Sequence, residues 1–163
     1  MPRRGRHHRR LLLDGHNILH QHPEFRRFML DEPERGRRAL EQALQGTARC
    51  HLFYDGGPGG AASRTHRRGL DIHYSGAGSA DDAIVAALRA GGGSGCDVVT
   101  DDRELAGRAR AHGARVLAVG GFIRNVHAGD ANGEGADDPQ RGPPPPGEVD
   151  HWLRAFGVDE PEG

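Results

Sequence analysis

The chain has 163 residues, and its 26 Gly and 10 Pro leave few large apolar side chains, so it holds one core with tails rather than two. It contains no lysine: all 22 basic residues are Arg, which excludes a P-loop and Schiff-base chemistry. The formal net charge is −1, but residues 1–10 carry +5, residues 11–126 carry +1 and residues 127–163 carry −7, so the small total does not exclude a nucleic-acid partner.

Residues 1–8 read as a disordered basic arm built on Arg3, Arg4 and Arg6. Residues 9–14 read as a central parallel strand, because Leu11, Leu12 and Leu13 form a short continuous apolar run that ends at Asp14. The same run is too short for a signal segment or a membrane span, so a cytoplasmic protein is expected. Residues 15–22 are expected as a polar loop around Gly15 and Asn17. Residues 23–45 suit helix in two pieces, with Phe25, Phe28, Met29, Ala39, Leu40, Ala43 and Leu44 on apolar faces and Pro33 opening the second piece. Residues 50–55 are a second strand ending at Asp55, residues 56–69 a Gly- and Arg-rich loop, and residues 70–74 a third strand. Ser79 then caps a helix whose first turn holds Asp81 and Asp82, where the helix dipole favours acids. Residues 97–100 are a fourth strand followed by Asp101 and Asp102. A helix over 102–112 stops at Gly113, and residues 115–119 are a fifth strand. Cys50 and Cys96 sit at strand edges as reduced core thiols, and the absence of a CxxC pair argues against a Cys-based zinc site.

Strands alternating with helices predict an α/β fold with a parallel sheet over residues 9–126. Residues 127–147, which include four consecutive prolines, read as a Gly/Pro-rich linker. Residues 148–157 read as an amphipathic helix carrying Val149, Trp152, Leu153 and Phe156 on one face, docked on the domain or on a partner.

Asp14, Asp55 and the Asp101–Asp102 pair end predicted strands, and Asp81–Asp82 opens a helix. Ligands of open α/β sheets bind beyond the carboxyl ends of strands. Carboxylates gathered there repel one another without a cation, and hard oxygen ligands suit Mg²⁺ or Mn²⁺. Two such ions activate a water and stabilise the leaving oxygen in phosphodiester hydrolysis.

Three segments carry a family resemblance: Leu-Leu-Leu-Asp14-Gly15-His16-Asn17-Ile-Leu, Ser-Ala-Asp81-Asp82-Ala-Ile and Val-Val-Thr100-Asp101-Asp102-Arg-Glu-Leu. In motif and order they resemble the NYN domains of the YacP-like group, within the PIN-like nuclease superfamily, over about residues 9–126. The resemblance implies a PIN-like three-layer sandwich with a mostly parallel five-stranded sheet ordered 3-2-1-4-5 and flanked by helices. It also implies a metal-dependent endoribonuclease using Mg²⁺ or Mn²⁺. Carried over residue by residue, Asp14, Asp81 and Asp102 match the catalytic, metal-binding acids, with Asp55, Asp82 and Asp101 as further candidate ligands. Asn17, His16, Thr100 and Arg103 stand on the same motifs as substrate-side candidates. Position 16 is His where the YacP-like pattern often has Tyr, which bears on substrate contacts rather than on the metal.

Arg64, Arg67 and Arg68 cluster in the loop before the third strand and are expected to hold RNA phosphates, since arginine forks onto phosphate oxygens. RNA is therefore the expected partner, with the ribosome or another RNA–protein particle as a possible source of it. His16 and His20 also have a spacing that suits zinc on a helix, although RNA or solvent contact is the preferred reading. One rival is a non-catalytic RNA-binding PIN-like module. Another, a haloacid-dehalogenase-like phosphatase, resembles an Asp-x-Asp pattern that His16 breaks, and the lysine it would use is absent.

Overall fold

The computed structural model describes residues 9–129. In chain order these form β1 (Arg10–Asp14), α1 (Gly15–Gln21), α2 (Pro23–Asp31), α3 (Pro33–Ala43), β2 (Cys50–Tyr54), β3 (Ala62–Arg67) and β4 (Leu70–Ser75). There follow α4 (Ala80–Gly91), β5 (Cys96–Val99), α5 (Arg103–Ala111), β6 (Arg115–Leu117) and α6 (Val119–His127). The sheet has six strands in the order β3-β4-β2-β1-β5-β6, parallel except at the β3–β4 pair. Without β3, that order is the expected 3-2-1-4-5.

Alternation along the central strand builds the three layers. Leu11 and Leu13 point to one face, where they pack with Ile18 of α1, Phe25 and Phe28 of α2, Leu40 of α3 and Phe122 of α6. Leu12 points to the other face and packs with Ile84 and Leu88 of α4 and Leu105 of α5. Both faces are covered, which is why the strand reads as an unbroken apolar run.

Three elements depart from the sequence expectation. The expected loop 15–22 is helix α1: Asp14 caps it by accepting the Asn17 N–H, and burial of Ile18 and Leu19 outweighs the modest propensities of Gly, His and Asn. Gly15 permits that helix to lie on β2, since a Cβ there would stand 2.7 Å from the Phe53 carbonyl oxygen and from the Tyr54 ring. The expected loop 56–69 contains β3, an exposed edge strand joined to β4 by Arg68 and Gly69, both at positive φ, as a two-residue hairpin requires. The fifth strand expected over 115–119 ends at Leu117, and Val119 already opens α6, whose last residue is His127. The arm 1–8, the linker from residue 130 onward and the segment 148–157 lie outside the described residues. Among the described residues, no helix is long and apolar enough to cross a membrane.

Candidate functional site

Parallel pairing of β1 with β2 and with β5 brings three carboxyl ends to one edge of the sheet. Asp14 is the last residue of β1, Asp55 follows β2, and Asp102 stands just beyond β5 as the cap of α5. The first turn of α4 contributes Asp81. All four carboxylates line one cavity of about 130 Å³, together with His16, Asn17 and Ser79.

The Asp14 side chain is buried, at 3 % exposure. Its Oδ1 accepts the Asn17 N–H at 3.2 Å and its Oδ2 accepts the Thr100 hydroxyl at 3.2 Å. Burial nevertheless pushes its pKa up to about 6, and the charge of Asp81 adds to the rise against the two hydrogen bonds and His16. Asp81 is raised as well, by burial and then by the charges of Asp102 and Asp55, while Arg108 opposes the rise. Two of the four carboxyls are thus held back from ionising as they stand.

The other acids at the cleft are fixed by backbone donors. Asp55 Oδ1 accepts the Ala80 N–H at 2.7 Å, tying the end of β2 to the start of α4, and its Oδ2 stands 3.5 Å from His16 Nδ1. Asp102 Oδ1 accepts the Glu104 and Leu105 N–H groups at 2.9 and 3.2 Å. Ser79 Oγ accepts the Asp82 N–H at 3.1 Å and so sets the helix phase that turns Asp81 into the cavity.

Other residues singled out in the sequence lie elsewhere. Asp82 is exposed and paired with Arg108 at 2.9 Å, which lowers its pKa. Asp101 accepts the Val119 N–H at 3.0 Å and so caps α6, and its own N–H donates to Asn17 Oδ1 at 2.9 Å. Neither lines the cavity. Thr100 is buried, with its hydroxyl shared between Asp14 and the Asp102 N–H, so it holds the two acids in place. Arg103 is exposed in the first turn of α5, beside Asp102.

The arginine cluster is displaced from the cleft. Arg64 pairs with Asp71 at 3.0 Å and Arg67 with Glu41 at 2.9 Å. Because β3 is antiparallel to β4, Arg67 sits opposite Leu70, the first residue of β4, while the cleft lies at the other ends of the parallel strands. Arg67 and Arg68 are therefore most of a strand length, roughly 15 Å, from the acidic edge. The loop reading of 56–69 concealed this, because a strand fixes register and a loop does not. Conversely, Ser79 lines the cavity and Arg108 pairs with Asp82, and neither is among the residues that the sequence motifs single out for the site. Ser79 was legible as a helix cap, whereas Arg108 has no motif and is found only by folding α5 against α4.

The donor set suits a hard divalent cation. Among the described residues, no three His, Cys, Asp or Glu side chains stand as a ready-made metal cage. Mg²⁺ does not require one, since it commonly binds through one or two carboxylates and keeps several waters. A cation between Asp14 and its neighbours would offset the repulsion and burial that raise Asp14 and Asp81. His16 and His20 do share a face of α1, with ring centroids 4.3 Å apart, but among the described residues no third ligand joins them for zinc.

The family model for the YacP-like NYN domain matches residues 11–141. Two crystal structures of Rae1 (YacP) from Bacillus subtilis, one of them a point mutant, are similar in fold, each with a TM-score of 0.59. The mutant is 18 % identical over 72 % of this chain and 74 % of its own. The other is 21 % identical over 73 % of this chain and 74 % of its own. No curated protein matches the chain.

Proposed function

The chain belongs to the YacP-like NYN family, and from that premise we propose that it is a divalent-metal-dependent endoribonuclease hydrolysing RNA at the Asp14, Asp81 and Asp102 cleft. The observation that carries this reading is the lining of the cavity: four carboxylates, no arginine, and a buried Asp14 whose pKa rises to about 6. Such a cluster is poorly suited to a structural role, where buried acids are paired, and well suited to holding a cation.

Asp14, Asp81 and Asp102 would hold Mg²⁺ or Mn²⁺, with Asp55 as a further ligand; Asp82 and Asp101, engaged with Arg108 and with α6, are not part of this set. A bound divalent ion supplies Lewis-acid stabilisation of the phosphate charge and lowers the pKa of a water. The chain's own residues supply placement. Thr100 and Asn17 orient Asp14, the α5 cap orients Asp102, and the Asp55–Ala80 hydrogen bond fixes α4, which carries Asp81. His16, well exposed beside Asp55, stands at the mouth of the cavity, where it can contact the RNA strand.

The test is cleavage of end-labelled RNAs with Mn²⁺, with Mg²⁺ and with EDTA, using wild type and Asp14→Asn in parallel. Cuts that need the metal and vanish in the variant are the expected result. The same test separates the rival reading, a non-catalytic RNA-binding module. That reading predicts salt-sensitive RNA binding that is indifferent to metal, with no cuts. Cutting only of RNA carried on the ribosome or another RNA–protein particle would retain the chemistry and assign the substrate to the particle.

A further inference from the structure

An RNA strand entering this cleft meets four carboxylates, so its phosphates need a cation close by. On β3, Arg67 is at the far end of the strand and paired with Glu41, while Arg64, level with Asp14 in register but three strands away across the sheet, is paired with Asp71. Arg108 stands beside the cleft, paired with the residue that follows Asp81. We propose that Arg108 is a phosphate-binding residue of the cleft, parked on Asp82 in the free protein and transferred to the RNA backbone when the strand binds. This inference rests on the ribonuclease reading and adds to it the side from which the strand is held.

Arg108 lies on α5, and its Nη2 donates to Asp82 Oδ1 at 2.9 Å across the gap to α4. Asp82 is the residue after Asp81, so the guanidinium stands beside a cleft carboxylate, and its charge opposes the rise in the Asp81 pKa. The two helices are locked by apolar contacts, with Val85 and Leu88 of α4 in one cluster with Leu105 and Ala109 of α5. The ion pair is therefore not needed to hold them together.

The pair is also weak enough to exchange. Asp82 is 69 % exposed and Arg108 36 %, so water competes for both partners and the pair adds little to the fold. A guanidinium has five N–H donors, and the contact with Asp82 uses one of its nitrogens. A phosphate could accept two parallel hydrogen bonds from the same fork, which are stronger than a single exposed contact. Asp82 then serves to keep Arg108 out of the metal-binding carboxylates and near the path of the strand.

The proposal separates two variants that a structural ion pair would not. Binding of a fluorescently labelled RNA to the full chain is followed by anisotropy in EDTA across a salt series. Arg108→Ala is expected to weaken binding about tenfold at low salt and to flatten the plot of log K against log salt by about 0.7, the loss of one phosphate contact. Asp82→Asn, which frees the guanidinium, is expected to bind as tightly as wild type or more tightly. Equal weakening by both variants would make the pair a structural bridge and overturn the proposal, as would Arg108→Ala with wild-type affinity and slope. Thermal melts of both variants separate loss of binding from loss of fold. Wild type that cleaves RNA, with Arg108→Ala unchanged in KM, would remove this inference and leave the ribonuclease reading intact. Wild type that neither binds nor cleaves RNA would remove both.

Discussion

Two buried aspartates on adjacent strands have opposite surroundings. Asp97 near the start of β5 is 2 % exposed, and Asp14 at the end of β1 is 3 % exposed. Register puts Asp97 opposite Leu11, so the two acids are about 10 Å apart along the sheet. Asp97 is clamped by two guanidiniums: Arg9 Nε donates to Oδ1, and Arg115 donates from Nε at 3.1 Å and from Nη2 at 2.6 Å. Among the described residues, Asp14 accepts from the Asn17 N–H and the Thr100 hydroxyl with no guanidinium beside them, and its pKa rises to about 6. The amino ends of the strands carry a neutralised charge that serves the fold, while the carboxyl ends carry an uncompensated one that costs stability and is available to a ligand.

The largest expected effects break this contrast directly. Asp14→Asn should take RNA cleavage down to background while leaving the melting temperature of the metal-free protein unchanged or higher. Asp97→Asn should do the reverse, costing about 2 kcal/mol by denaturant melts because it weakens the charge-assisted hydrogen bonds from both arginines, yet sparing cleavage by whatever fraction stays folded. A protein in which both substitutions act alike would erase the distinction between the two ends.

A pH series sharpens the comparison. The folded pKa of Asp14 is raised from 3.8 to about 6, so between these values the native state keeps a proton that the unfolded chain has lost. The native state is favoured by that proton at low pH, and stability must fall as pH rises from about 4 to about 6. The fall should amount to about 3 kcal/mol and level off above that window. Asp81, also raised, acts with the same sign. Denaturant melts in EDTA should show this decline in wild type and a much smaller one in Asp14→Asn.

A smaller effect concerns the tether. Thr100→Val removes a donor to Asp14 and an acceptor for the Asp102 N–H. It should cost about 1 kcal/mol in stability and shift the acidic limb of the cleavage profile upward, since an unassisted carboxylate ionises less readily. An unshifted profile would mean that Thr100 only fills space.

Much of the fold was legible because the central strands carry apolar runs, Leu11–Leu13 above all, and β1, β2 and β5 each end in an acid or lead to one. The helix start at Ser79 was readable as a cap, while the preference for Asp81 over Asp82 came from the family resemblance; the structure turns Asp81 into the cavity and pairs Asp82 with Arg108. What escaped was set by tertiary context. Helix α1 has an unpromising sequence and forms because Asp14 caps it and the core takes Ile18 and Leu19. Strand β3 is exposed along its whole length, so it lacks the alternation that would reveal it, and with it went the true position of Arg64, Arg67 and Arg68. The capping role of Asp101 depended on α6, which begins where a strand was expected to continue.

Calorimetric titration of Mn²⁺ into the metal-free full chain at pH 6 decides whether the uncompensated charge at Asp14 is the cation site proposed above. Binding with release of protons in wild type, retained in Asp82→Asn and lost in Asp14→Asn, is the predicted result. Equal Mn²⁺ binding by wild type and Asp14→Asn, or no binding by wild type, would contradict it.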